Sequence, residues 1–154
     1  MGYAVLDGAD LERLVIADCG VIATPREATA AERLVALADA LDVMIARYAP
    51  RAVAVERLFF NKNVRTAMSV SEARGVALVC AARAGLAISE FTPQEVKLGV
   101  TGTGAADKRT VQKMLVHVLR LEERISDDNV ADAVAVAVTY AHRARFAARV
   151  ALAR

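Results

Sequence analysis

A length of 154 residues suits one domain with a substantial core and leaves too little chain for two. Hydrophobic residues make up 56% of the chain but aromatics only 5%, with no Trp, so the core is built of Val, Leu and Ala, as in an α/β layer fold. A net charge of +2 names no partner, and the isolated Cys19 and Cys80, with no CxxC and no nearby His, argue against zinc and for a reducing compartment. No run reaches the roughly 18 apolar residues of a membrane span, and no signal peptide opens the chain, so a cytoplasmic protein is expected.

The first expected element is a strand at Gly2-Tyr3-Ala4-Val5-Leu6, followed by the turn residues Asp7-Gly8. A second strand runs from near Leu14 to Ala23 and ends before Pro25. A helix from Thr29 or Ala30 to about Tyr48 places Leu34, Leu37, Leu41, Met44, Ile45 and Tyr48 on one face, and Pro50 stops it. The run Ala52-Val53-Ala54-Val55 reads as a strand buried on both faces. A loop at Leu58–Asn63 leads to a helix over about Val64 to Ala84, with Gly85 as its cap. Ala87 to Phe91 is a further strand, and Pro93 begins a short helix to about Val100. After Thr101-Gly102-Thr103-Gly104, a flexible loop, comes a helix over about Ala106 to Leu119. Ser126 then caps a last helix that Asp127 and Asp128 suit through its dipole. The order is that of a single α/β domain over residues 1–154, one sheet with helices on both faces.

Two acids stand out. Glu56 ends the apolar strand, where open α/β sheets gather their chemistry. Asp132 interrupts the apolar stretch Val130–Val138. A buried, unpaired carboxylate is costly or gives up its charge, so two such acids suggest a bound cation, most simply Mg²⁺. The plainer readings are a strand exit for Glu56 and a satisfied buried acid for Asp132. Asn129 lies three residues before Asp132, on the same helix face, and Asp128 four before it; capping and dipole pairing are the plain reading of Asp127 and Asp128. With no Ser-His or Cys-His arrangement, the acids suggest metal-assisted phosphodiester hydrolysis.

Lys97, Lys108, Arg109, Lys113 and Arg120 fall in one segment, and Arg143, Arg145, Arg149 and Arg154 mark the tail. Such clusters suit a polyanion or form a solvated face. Phe59 and Phe60, directly after Glu56, either stack on unpaired bases or pack under the next helix. Gly102-Thr103-Gly104 before Lys108 is like a phosphate-cradling loop but lacks the Walker A ending. His117 and His142 read as surface residues of helices.

The segments Val53-Ala54-Val55-Glu56-Arg57-Leu58-Phe59, Glu72-Ala73-Arg74-Gly75-Val76-Ala77 and Thr92-Pro93-Gln94-Glu95-Val96-Lys97 are followed by two more, Val100 to Lys108 and Ala131-Asp132-Ala133-Val134-Ala135. In this order and spacing the chain resembles the RuvC family, bacterial Holliday-junction resolvases of the RNase H-like fold, from Gly2 to about His142. The resemblance implies a three-layer fold, a mixed sheet with helices on both faces. It implies a Mg²⁺-dependent homodimer, with two ions per active site, that nicks two like-polarity strands of a four-way DNA junction in recombination and repair. Glu56 and Asp132 match two of the family's metal-binding acids. Phe59 matches the aromatic that meets bases at the crossover, with Phe60 beside it. Lys97 and Lys108 match basic residues near the scissile phosphate, and Arg109 adjoins them. RuvA and RuvB would be partners, and by analogy the helix Val64–Ala84 would form the dimer interface.

Two departures matter. The family's first strand, roughly Gly-Ile-Asp-Pro-Gly with a metal-binding Asp, should precede Gly2; without it two strand edges are unpaired and the chain as written is expected to be inactive or nearly so. Asn129 stands where many members carry an acid and some a His; its carbonyl can bind Mg²⁺ without charge, and Asp128 is the residue to compensate. A non-catalytic junction-binding protein and another RNase H-like nuclease, acting on RNA or other branched DNA, are the competing readings.

Overall fold

The computed structural model describes residues 1–8, 13–25, 27–57 and 64–153, without the side chains of 64–66. The elements, in chain order, are β1 (Gly2–Asp7), β2 (Val15–Val21), α1 (Ala30–Tyr48), β3 (Ala52–Glu56), α2 (Val64–Arg83), β4 (Ala87–Phe91), α3 (Pro93–Thr101), α4 (Lys108–Leu119) and α5 (Asp128–Leu152). Their order agrees with the sequence reading throughout. They fall into two compact units, one of Met1 and Ile22–Glu90, the other of Gly2–Val21 and Phe91–Arg154.

In the first unit Thr29 caps α1, and Glu32 reaches back to the Thr29 N–H at 2.7 Å, completing a reciprocal capping pair. The chain leaves α1 through Ala49 in the left-handed region, whose N–H bonds the Ile45 carbonyl at 2.9 Å. Leu37 is buried on the expected face of α1, which packs on α2. Cys80 is buried on α2, with its Sγ 3.9 Å from the Ala38 carbonyl. β3 ladders with β4. Ala52 to Val55 are half-buried rather than fully buried, because the described strands give β3 one ladder partner instead of two.

In the second unit β1 and β2 form an antiparallel hairpin, with a bulge where Val5 faces Asp18 and Leu6 faces Ile16. β1 packs on α5. The expected single sheet is therefore two two-stranded ladders among the described residues, since no described strand pairs with both. α3 opens on Thr92 and Pro93 with a second capping pair to Glu95. α3 and α5 approach closely: a Cβ on Gly99 would lie 2.5 Å from Thr139 Cγ2, so only glycine lets the helices meet there. Thr139 donates to the Ala135 carbonyl at 2.8 Å, which satisfies the one buried polar side chain among the described residues. Phe91, Leu115, Val134 and Val138 are almost completely enclosed.

Two boundaries differ from expectation. Asp127, not Ser126, caps α5: its Oδ1 accepts from the N–H groups of Asn129 and Val130 at 2.8 and 3.1 Å. Both residue types are good caps, and the carboxylate adds favourable charge at the dipole's positive end. α4 begins at Lys108 rather than Ala106, because Asp107 captures the Thr110 N–H at 2.7 Å and so fixes the helix start.

Candidate metal centre and nucleic-acid interface

α5 buries Val130, Ala131, Val134, Ala135, Val136, Val138, Thr139 and Ala141, most of them on one inner face at the helical period, and Asp132 is exposed although Val136, one turn on, is buried. The Asp132 side chain is 64% exposed, which corrects the expectation that its apolar flanks bury it. Those flanks belong to the inner face, and Asp132 shares the outer face with Asp128, one turn earlier.

Lys108 joins this face from the first residue of α4. Its Nζ lies 3.1 Å from Asp128 Oδ2 and 3.8 Å from Asp132 Oδ2. Gln112, one turn along α4, reaches Asp128 Oδ1 at 3.5 Å. The hydrogen bond that Lys108 donates to Asp128 is the main cause that raises the Lys108 pKa, so the ammonium is held charged. Crowding by protein raises the Asp132 pKa above the usual carboxylate value, Lys108 draws it down, and Asp128 adds like-charge repulsion. Protein backs one side of this carboxylate while its outer side is open to solvent, so a ligand can reach it. Asp107 is held below its ordinary value by the Thr110 bond and, to a lesser degree, by Arg109 and Lys113.

Asn129 is exposed in the first turn of α5. A Cβ on Gly2 would lie 2.2 Å from the Asn129 carbonyl oxygen, so β1 runs directly against the backbone of this turn and fixes it. Asp128, Asp132 and Asn129 offer oxygen donors only, a set that suits a hard divalent cation such as Mg²⁺. Lys108 already supplies a positive charge between the two carboxylates. Among the described residues no group of three or more His, Cys, Asp and Glu is placed to hold a metal.

Glu56 belongs to the other unit. It ends β3 and is exposed, not enclosed, because the strand before it is only half-buried. Arg74 Nε on α2 donates to the Glu56 carbonyl at 3.1 Å, and Arg74 also pairs with Glu90 at the end of β4. Arg57 Nε lies 3.9 Å from the same Glu90 carboxylate. The strand end that carries Glu56 is thus anchored by a guanidinium bridging β3 and β4. Sequence reasoning singled out neither Arg74 nor Glu90 as a site residue. Arg74 stands inside a quoted segment, but the pairing across sixteen residues leaves no local signal.

Of the other expected site residues, Arg109 is exposed next to Lys108, and Lys97 is half-buried on α3, which packs on α4 and α5. Phe59 and Phe60 lie outside the described residues. Thr101–Gly104 closes α3: the Gly102 N–H bonds the Leu98 carbonyl at 2.8 Å, and Thr101 Oγ1 donates to the Lys97 carbonyl at 2.8 Å. His117 is exposed as expected, whereas His142 is half-buried, because its Nδ1 bonds the Gly99 carbonyl at 2.9 Å.

Residues 1–140 match the family model of the crossover junction endodeoxyribonuclease RuvC. The RuvC of Heliobacterium modesticaldum is 46% identical over 92% of this chain and 86% of its own length. That of a Roseiflexus species is 44% identical over 97% of this chain and 89% of its own. Among solved structures, Thermus thermophilus RuvC in complex with a Holliday junction substrate superposes with a TM-score of 0.88 at 32% identity, covering 95% of this chain and 88% of that one. The fold is that of these RNase H-like nucleases, and the chain belongs to the RuvC family of crossover junction endodeoxyribonucleases.

Proposed function

We propose that this chain serves as one resolvase domain that cuts four-way DNA junctions by paired, metal-dependent nicks. The observation that carries the reading is the convergence of Asp128, Asp132 and Lys108 at the starts of α4 and α5. Asp132 and Asp128, with the Asn129 carbonyl, would hold Mg²⁺, two ions in the full active site. Glu56 joins them on the strength of its matching segment, and Asp132 and Glu56 are the catalytic acids. The cation, when bound, supplies Lewis acidity and an ionised water at neutral pH.

The remaining work falls to this chain's own residues. The Asp107 and Asp127 caps fix the first turns of α4 and α5, so Lys108, Asp128 and Asp132 need little reorganisation. Lys108 pairs with both carboxylates and offers an ammonium to a non-bridging phosphate oxygen. Lys97 and Arg109 extend the positive surface that receives the backbone, and Phe59 and Phe60 meet the bases at the crossover.

Resolution of a two-fold junction calls for two active sites, hence a homodimer. α2 supports it, since Met68, Val70 and Val79 are exposed on that helix. RuvA and RuvB are proposed as partners on family grounds. A cytoplasmic setting accords with the DNA substrate, and no described helix is long and apolar enough to cross a membrane.

The test offers the purified chain a four-way junction, linear duplex and RNA, each with Mg²⁺ or with a chelator. Symmetric nicks in the junction alone, abolished by the chelator, would bear out the enzyme reading and overturn the expectation that the chain as written is inactive or nearly so. Junction binding without nicks would favour the binding-only reading, and preferred cleavage of RNA would favour another nuclease.

A further inference from the structure

Along α4, Arg109, Lys113 and His117 recur at steps of four and form one stripe on one face, and Arg120, the left-handed residue that closes the helix, follows them. Two open depressions flank the stripe and share Val116. The one nearer the start of α4, about 320 Å³, is lined by Arg109, Lys113 and Arg124. The other, about 640 Å³, is lined by His117 and Arg120 and by His142 and Arg145 of α5. Among the described residues no carboxylate lines either depression.

Helix electrostatics alone do not account for this. Cations at the C-terminal end of α4 favour the dipole, which explains His117 and Arg120. Arg109 lies in the first turn, where the dipole opposes a cation. Arg120 has φ 53°, a left-handed position that suits glycine, yet a guanidinium is kept there. His142 is oriented by its bond to Gly99: a carbonyl can only accept, so Nδ1 carries the hydrogen, and Nε2 donates to a phosphate oxygen only in the imidazolium form. The close contact between Gly99 and Thr139 holds α3 against the helix that bears this ring.

We propose that the basic stripe of α4, with His142 and Arg145 of α5, is a phosphate track that grips the backbone of a DNA duplex leaving the acid face. From Lys108 to Arg120 the helix rises about 18 Å. That length matches about five phosphates of one strand of B-DNA. The inference rests on the junction reading above and extends the contact surface well beyond Lys108.

The test measures affinity of the full chain for a fluorescent four-way junction, without nicking metal, over a series of salt concentrations. The variant Lys113→Gln/Arg120→Gly removes two charges, and glycine suits the backbone at 120, so folding is not at risk there. A control, Arg47→Gln/Arg51→Gln, removes two charges from the other unit. The track predicts a slope of log K against log salt shallower by about 0.9 for each lost phosphate contact, hence by about 2 for the first variant and unchanged for the control. No change, or an equal change in both, overturns it.

Inorganic phosphate is titrated in parallel, with the ring signals of His117 and His142 followed by NMR. Shifts in the parent and not in the stripe variant support phosphate recognition there even if the parent fails to bind junctions, an outcome that would overturn the junction reading instead. Phosphate shifts with an unaltered junction slope would mean a pocket for free phosphate esters and would overturn the DNA track.

Discussion

Glu56 and Asp132 look alike in sequence, each a carboxylate set against an apolar run, but the two regions hold them differently. Glu56 ends a half-buried strand whose last carbonyl is gripped by Arg74, itself paired with Glu90. Asp132 stands on the outer face of a helix whose inner face is enclosed, and its charge is met by Lys108 from a second helix. One acid is positioned through its backbone, the other through its side chain. The lesson is that an acid in an apolar run need not be buried. It need only sit where the element's period turns outward.

The sharpest way to break this comparison is to remove each charge in turn. Asp132→Asn and Glu56→Gln should each slow whatever junction nicking the parent shows by on the order of 100-fold or more, the scale of losing one preorganised electrostatic group. Junction affinity without metal should hardly change. Retained nicking in either variant would remove that acid from the site.

The supports come next. Leu115 is 1% exposed on α4, so Leu115→Ala should destabilise by about 2–5 kcal/mol, read from denaturant unfolding. A similar midpoint to the parent would mean that the enclosed side of α4 and α5 is not what fixes the acid face. Arg74→Ala should cost about 1 kcal/mol, since the pair is partly exposed, and it should lower the nicking rate with little effect on junction affinity. Equal nicking rates would show that the anchor does not position Glu56.

The smallest effect is a titration. Lys108 draws the Asp132 pKa down, so Lys108→Met should move its carboxyl titration to higher pH by carbon-13 NMR. The sign for stability follows. A carboxylate whose pKa is raised in the folded state is a cost while it is charged. That cost is present above the folded-state pKa and fades as the pH falls toward the ordinary 3.8. Losing Lys108 therefore enlarges the cost above the folded-state pKa and widens the window, from that pKa down to 3.8, over which falling pH relieves it. A titration that stays put, or moves down, would contradict the pairing.

Much of this was legible in sequence because it is local. The apolar spacing of α1, the Thr29 cap with Glu32, the Pro93 start and the acids at the head of α5 each carry their own signal. The exposure of Asp132 is not legible in the same way, since every other residue from Val130 to Val138 is apolar and Val136, one turn on, is buried. What local pattern cannot hold is pairing over distance. The bridge from Arg74 to Glu90, the reach of Lys108 to α5 and the seat of His142 on Gly99 join residues sixteen to forty-three apart. The half-burial of β3 is likewise a property of its ladder partners, not of its own residues.

The most direct test of the central claim is to titrate the labelled chain with Mn²⁺ as a paramagnetic stand-in for Mg²⁺ and follow the backbone amides. The account predicts selective broadening at the first turns of α5, around Asp128, Asn129 and Asp132, reversed by excess Mg²⁺ and lost in Asp132→Asn. Broadening that spares those turns, or that persists unchanged in the variant, would contradict it.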